Sequence, residues 1–146
     1  MPSVRLLPLF CLLLVLLGCA TPTTAPPPSE SLYERLGGQA GVSELMGRTL
    51  TLAAADPRTR RTFEGIKLKA LQESLTEQIC ALAGGGCRYQ GETMTRVHKD
   101  LRIKPSEFDA FVEMLRQEID HSGIDSRAKN ELLRLLAPMK QAIVSP

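Results

Sequence analysis

The sequence predicts an all-α domain set behind an exported N-terminal segment. Three observations carry this. From Ser31 onward the apolar residues recur at helical spacing. No stretch alternates apolar and polar residues in the way a half-buried strand does. Glycine and proline cut the chain into pieces of helix length. The 146 residues suffice for one domain after processing and are too few for two good cores.

The first twenty residues, "MPSVRLLPLFCLLLVLLGCA", carry one charge, Arg5, and then an apolar run from Leu6 to Leu17. This is a signal-peptide pattern, too short for a comfortable membrane span. It ends in "LLGC", which resembles the bacterial lipobox. On that reading residues 1–18 are a lipoprotein signal peptide and Cys19 carries the lipid. The alternatives are an ordinary secretory signal, or an uncleaved anchor with Cys19 incidental. Ala20 follows the cysteine. By resemblance to the sorting rules of Gram-negative lipoproteins, a residue other than aspartate there directs the protein to the outer membrane, facing the periplasm. "TPTTAPPPSE", residues 21–30, completes a spacer over residues 19–30 that is extended and semi-rigid by composition. The domain then occupies residues 31–146.

Hydrophobic residues make up 43% of the chain and charged residues 23%, so most of it can fold. Of 18 basic side chains only Arg5 precedes Cys19, which leaves 17 against 16 acidic ones. With the signs mixed throughout, there is no basic stripe for nucleic acid.

Within the domain, "SLYE" is a capping box of Ser31 and Glu34 that opens a short helix, stopped at Gly37 and Gly38. A second helix covers about Gln39 to Ala54 and ends at Asp56-Pro57. A turn at Arg60 to Phe63 leads to a third, Lys67 to Ala83, with Leu68, Leu71, Leu75, Ile79 and Leu82 on one stripe. "GGGC" breaks it. Glu92 to Leu101 forms the next helix. Pro105, at a first helical position, opens another, whose apolar face is Phe108, Phe111, Val112, Leu115 and Ile119. Gly123 stops it. The last helix presents Leu132, Leu135, Leu136, Met139 and Ile143, with a kink expected at Pro138. The total is five or six helices.

The chain has two histidines. His98 shares a stripe with Met94, Val97 and Leu101, so its imidazole points inward and needs a hydrogen-bond partner or a metal. Taken alone, the stripe favours a core histidine satisfied by a backbone carbonyl. A lone histidine cannot build a structural zinc site, but haem supplies four nitrogens of its own and needs only one axial ligand. His121, in the last turn of its helix, suits the helix dipole and reads as structural. Cys80 and Cys87 flank "ALAGGG". In an oxidising compartment they form a disulfide, or remain two free thiols; a redox-active pair is disfavoured because the spacing is not C-x-x-C.

The ordered pieces "SLYERLGG", "ADPR", "LKALQ", "GGGCRYQGETMTRVHKDLRI", "FDAFVEML" and "LLAPMKQAIV" resemble the group 1 truncated haemoglobins of bacteria, ciliates and cyanobacteria. The likeness covers about Ser31 to Val144. It implies a trimmed globin, a two-over-two helical sandwich holding haem, with His98 as proximal iron ligand. Phe63 would pack on the haem near its distal side, and Leu68 and Gln72 would face the distal pocket. Tyr89, Met94, Val97, Leu101, Ile103, Phe108 and Phe111 would line the haem edge and proximal wall.

The chain departs from that family in one telling place. The family's second helix carries a phenylalanine–tyrosine pair whose hydroxyl hydrogen-bonds the bound ligand; here those positions are Thr49 and Leu50. The phenylalanine pair before the distal helix is reduced to Thr62-Phe63. Gln72 remains as the main polar candidate, with Thr49 a weaker one, so oxygen is expected to be held less firmly.

The lipobox-like N-terminus implies envelope anchoring, and the resemblance implies a protein that binds non-covalent haem b, since C-x-x-C-H is absent, and reversibly takes O₂, NO or CO. Oxygen carriage is the family's default role. NO detoxification or peroxide reactivity would need an electron donor, and no reductase partner can be read from the chain. Two other classes stay open: a haem-free helical lipoprotein acting as an interaction module, and a haem-trafficking lipoprotein.

Overall fold

The computed structural model describes residues 30–144. The signal peptide, Cys19 and nearly all of the linker therefore lie outside the described residues.

Every regular element among the described residues is helical, as the sequence predicts. Helix α1 (Leu32–Arg35) starts at the expected capping box: Ser31 Oγ accepts from the Glu34 N–H at 3.2 Å, and Glu34 Oε2 accepts from the Ser31 N–H at 2.8 Å. The chain then turns through Gly37 (φ +87°) into α2 (Gly38–Ala55). That left-handed conformation suits glycine and strains other residues. Thr59 closes the far end of α2 by donating its hydroxyl to the Ala53 carbonyl at 2.6 Å. A 3₁₀ turn (Arg60–Phe63) leads into α3 (Leu68–Leu82).

Beyond the glycine loop, α4 is a single turn, Met94–Val97, capped by the Thr93 side chain. The sequence predicted a helix from Glu92 to Leu101. The difference has two local causes. Thr93 is the better N-cap and fixes the start. Past His98, Asp100 (φ 69°) and Arg102 (φ 49°) adopt left-handed conformations that no α-helix contains. A one-turn helix has no continuous apolar stripe, so Met94 and His98 turn inward while Val97 is 45% exposed.

Helix α5 (Pro105–His121) begins at its proline. Asp125 caps α6 (Ser126–Leu136) by accepting from the N–H groups of Arg127 and Ala128. Pro138 falls in a 3₁₀ turn (Ala137–Met139) that separates α6 from α7 (Lys140–Ile143), which is the expected break.

The core joins α1, α2, α3, α5 and α6 through Leu32, Leu36, Val42, Leu45, Ile79, Leu115, Ile119 and Leu132. Each such side chain contributes about 1.5–3 kcal/mol on burial. Charged pairs reinforce the layers: Arg35 meets Glu131, and Arg48 donates to Glu118 at 2.8 Å. Helices α2 and α3 approach closely at Gly47, where a β-carbon would lie 2.8 Å from Gln72 Nε2. A second cluster, Ala53, Ala110 and Met114 with Phe63 and Phe111, lies at the end of α2. Between these clusters the helices leave a cleft.

Candidate functional site

The cleft holds a cavity of about 180 Å³, opens in part to solvent, and has mostly apolar walls. Helix α2 supplies Met46 and Leu50; the following turn supplies Thr59, Thr62 and Phe63. Helix α3 supplies Leu71, Leu75, Gln78 and Ile79. Met94 and His98 enter from α4 and its end, and Ile103 from the next loop. Helix α5 contributes Glu107, Phe108, Phe111, Val112 and Leu115, and the C-terminal helices contribute Leu136, Met139 and Ile143. Phe63 and Phe111 stack across the two walls, with ring centroids 6.2 Å apart.

Nearly every polar atom on these walls is engaged. Thr59 Oγ1 donates to Ala53, and Thr62 Oγ1 donates to the Thr59 carbonyl at 2.8 Å. Glu107 Oε2 accepts from Arg61 Nη2 at 2.5 Å and from the Lys104 N–H at 2.8 Å. Burial pushes the Glu107 carboxyl up, but those hydrogen bonds and the charges of Arg61 and Lys104 outweigh it and hold the group below the usual carboxylate range.

His98 is different. Its Nδ1 lies 2.8 Å from the carbonyl oxygen of Met94. A carbonyl can only accept, so Nδ1 carries the proton and the neutral ring keeps a lone pair on Nε2. This is how proteins present an imidazole to a metal, with the far nitrogen held by a carbonyl. Among the described residues no three His, Cys, Asp or Glu side chains cluster to hold an ion. An ion at His98 therefore needs a cofactor that brings donors of its own. Gln78 is the second incompletely satisfied group. It is 8% exposed, and its Nε2 faces only the sulfurs of Met94 (3.6 Å) and Met139 (3.9 Å), which are weak acceptors.

Of the residues the sequence nominated, the structure gathers His98, Phe63, Met94, Ile103, Phe108, Phe111 and Leu50 around the cleft. It places six elsewhere. Gln72 points at α2 and donates to the Ser43 carbonyl at 2.7 Å and to the Ser43 hydroxyl at 3.1 Å. Leu68, one turn earlier on the same side of α3, misses the cleft with it. Thr49 is fully buried, and its hydroxyl donates back to the Leu45 carbonyl at 2.9 Å. Tyr89 folds over Gly91, where even a β-carbon would sit 2.1 Å from the Tyr89 hydroxyl. Val97 faces outward, and Leu101 lies in the loop beyond the shortened helix, off the cleft wall.

The correction on α3 concerns Leu68 and Gln72. The stripe residues Leu71, Leu75 and Ile79 meet the cleft, whereas Gln72 turns toward α2 and Leu68, the first residue of α3, lies off the cleft wall. That stripe was visible in the sequence. Gln78, Glu107 and Met139 carried no comparable signal, being two polar residues and one unremarkable apolar residue.

Cys80 and Cys87 form a disulfide, with Cα atoms 5.6 Å apart. The bridge ties the end of α3 to the loop that leads to α4.

Helices packed around an apolar cleft with one inward-facing imidazole define a globin-type protein. The bacterial-like globin family model matches residues 31–145, and the chain belongs to that family. Among curated proteins it is similar to the group 1 truncated haemoglobin of Tetrahymena pyriformis, 25% identical over 107 residues that cover 73% of this chain and 88% of the relative. The truncated haemoglobin structure from T. pyriformis superposes with a TM-score of 0.75 at 23% identity, covering 80% of this chain and all of that one. The 2/2 haemoglobin of Synechococcus sp. PCC 7002, in the cyanomet state and with covalently attached haem, gives 0.74 at 23% identity, covering 79% and 98%. The fold is therefore the two-over-two globin sandwich.

Proposed function

We propose that this chain is a haem-binding truncated haemoglobin with His98 Nε2 as the axial iron ligand. The observation that carries the reading is the Nδ1–Met94 hydrogen bond, which leaves Nε2 bare in an apolar cleft. The walls suit a flat, largely apolar macrocycle: Phe63, Phe108 and Phe111 offer faces, and Met94 and Met139 offer adaptable thioethers. When bound, haem supplies an iron that takes O₂, NO or CO reversibly. Attachment is non-covalent, as in haem b. Among the described residues, the walls carry no cysteine, lysine or second histidine to bond the macrocycle.

Met46, Leu50, Leu71 and Leu75 exclude water from their side of the cleft and offer a bound gas no hydrogen. Such a pocket disfavours the polar complex of O₂ relative to CO or NO. The role proposed is gas binding at the cell envelope, with oxygen handling or NO detoxification as the physiological outcome. NO detoxification needs electrons from a separate reductase.

The lipobox-like "LLGC" supports attachment at Cys19 and an outer-membrane location facing the periplasm. A Cys19→Ser variant should then leave the membrane fraction.

Titrating the purified full-length chain with hemin tests the reading. A Soret band should saturate at one hemin per chain and be abolished or shifted in His98→Ala. A colourless wild type, or an unaltered band in the variant, would remove the haemoglobin reading.

A further inference from the structure

His98 caps the end of a one-turn helix, so apart from the Nδ1–Met94 contact little in that helix holds the ring in place. The segment after it is short and irregular. Asp100 and Arg102 hold positive φ angles of 69° and 49°; an aspartate visits this region on occasion, whereas an arginine is held there by surrounding contacts. Those contacts come from the other wall. Arg61, in the turn that carries Thr62 and Phe63, donates from Nη2 to the Arg102 carbonyl at 2.8 Å and from Nη1 to the Leu101 carbonyl at 3.4 Å. The same Nη2 reaches Glu107, whose carboxylate also holds the Lys104 N–H at the start of α5. One guanidinium therefore meets the loop three and four residues beyond His98, and the helix that follows it. Among the described residues Glu107 is the only carboxylate on the cleft wall, and its side chain is 9% exposed.

We propose that Arg61 is a positioning residue for His98: its fork latches the histidine's loop to the opposite wall and thereby sets the direction of Nε2. The inference rests on the haem reading for its consequence, but the latch itself is a property of the apo chain. A guanidinium spreads its donors in a fixed plane and can bridge two carbonyls and a carboxylate; an ammonium offers its three donors from one atom and lacks that fork. The latch also couples the two walls. A shift of the Phe63 turn moves the axial ligand.

The test uses the full-length chain with Arg61→Lys and the double variant R61M/E107Q. The double variant removes the latch without leaving an uncompensated carboxylate beside the cleft, so loss of folding through an orphan charge is avoided. Two readouts are taken. In the haem-free chain, ¹⁵N NMR of the His98 ring should show a fixed Nδ1–H tautomer in the wild type and averaged tautomers in both variants. In the hemin-loaded and reduced chain, both variants should release haem to an excess scavenger globin roughly tenfold faster, with a shifted iron–histidine Raman band. A fixed tautomer in R61M/E107Q would overturn the proposal. So would R61K with a wild-type ring, because charge pairing alone would then suffice. Failure of the wild type to take up hemin would remove the function proposed above but leave the NMR comparison decisive for the latch.

Discussion

His98 Nδ1 and the Met94 carbonyl oxygen, one helical turn apart, lie 2.8 Å from each other. The contact fixes a tautomer and a ring plane at once. A half-buried, inward-facing histidine can be satisfied in two ways, by a carbonyl or by a metal, and this one uses the carbonyl on one nitrogen while the other faces an apolar cleft. The bland reading of a core histidine and the sharp reading of an iron ligand thus describe two ends of the same ring.

Apart from Gln78, whose Nε2 faces the sulfurs of Met94 and Met139, the side of the cleft built from α2 and α3 is apolar. Leu50→Tyr or Leu75→Gln would add one donor, and one hydrogen bond to a polar ligand contributes about 1–1.5 kcal/mol. Oxygen should therefore leave either variant roughly tenfold more slowly, as measured by stopped-flow displacement with CO. Gln72→Leu should leave the rate unchanged, since Gln72 is bound to Ser43. A faster rate in Gln72→Leu would mean that the amide reaches the ligand after all.

How far the site could be read in advance follows from these residues. Helix boundaries set by Ser31, Pro105 and Pro138 were legible because caps and breakers act locally. The inward turn of His98 was legible from spacing with Met94. The apolar stripe of α3 held Leu71, Leu75 and Ile79, which meet the cleft, but also Leu68, which does not, because the stripe serves the core as well as the cleft. The left-handed loop after His98 was invisible: Asp100 and Arg102 are not glycines, and the carbonyls of Leu101 and Arg102 are met by Arg61, some forty residues earlier.

Gly85 packs where a side chain cannot. A β-carbon would lie 2.5 Å from Tyr33 Cδ1 and 2.6 Å from Cys80 Sγ. Gly85→Ala should cost about 1–3 kcal/mol through overpacking. Its melting temperature should fall while that of Gly86→Ala, which meets no atom within 4 Å but has φ +76°, falls by the smaller cost of backbone strain alone.

The Cys80–Cys87 bridge closes a short loop, and in the chain-entropy model it contributes about 2–3 kcal/mol. Reduction should lower the denaturant midpoint by the corresponding amount, and the C80A/C87A variant should show no further change with reductant. An identical midpoint with and without reductant in the wild type would contradict the assignment.

Glu107 gives the pH dependence a sign. Its carboxyl is held below its ordinary value in the folded chain, so the unfolded chain binds protons first as pH falls. The stability this group contributes is complete above roughly pH 4–5 and is lost as pH falls through the depressed folded value. Glu107→Gln should flatten the acid limb of the stability curve, measured by urea unfolding between pH 3 and 6 (~3–6). An acid limb as steep as that of the wild type would place the titration elsewhere.

The central claim is that iron sits on His98 Nε2. The most direct measurement is the iron–histidine Raman band of the ferrous, hemin-loaded chain, compared with His98→Gly in the presence and absence of free imidazole. The account expects the band in the wild type, its loss in the variant, and its return when imidazole fills the vacated place. A band that persists in His98→Gly without imidazole would contradict it.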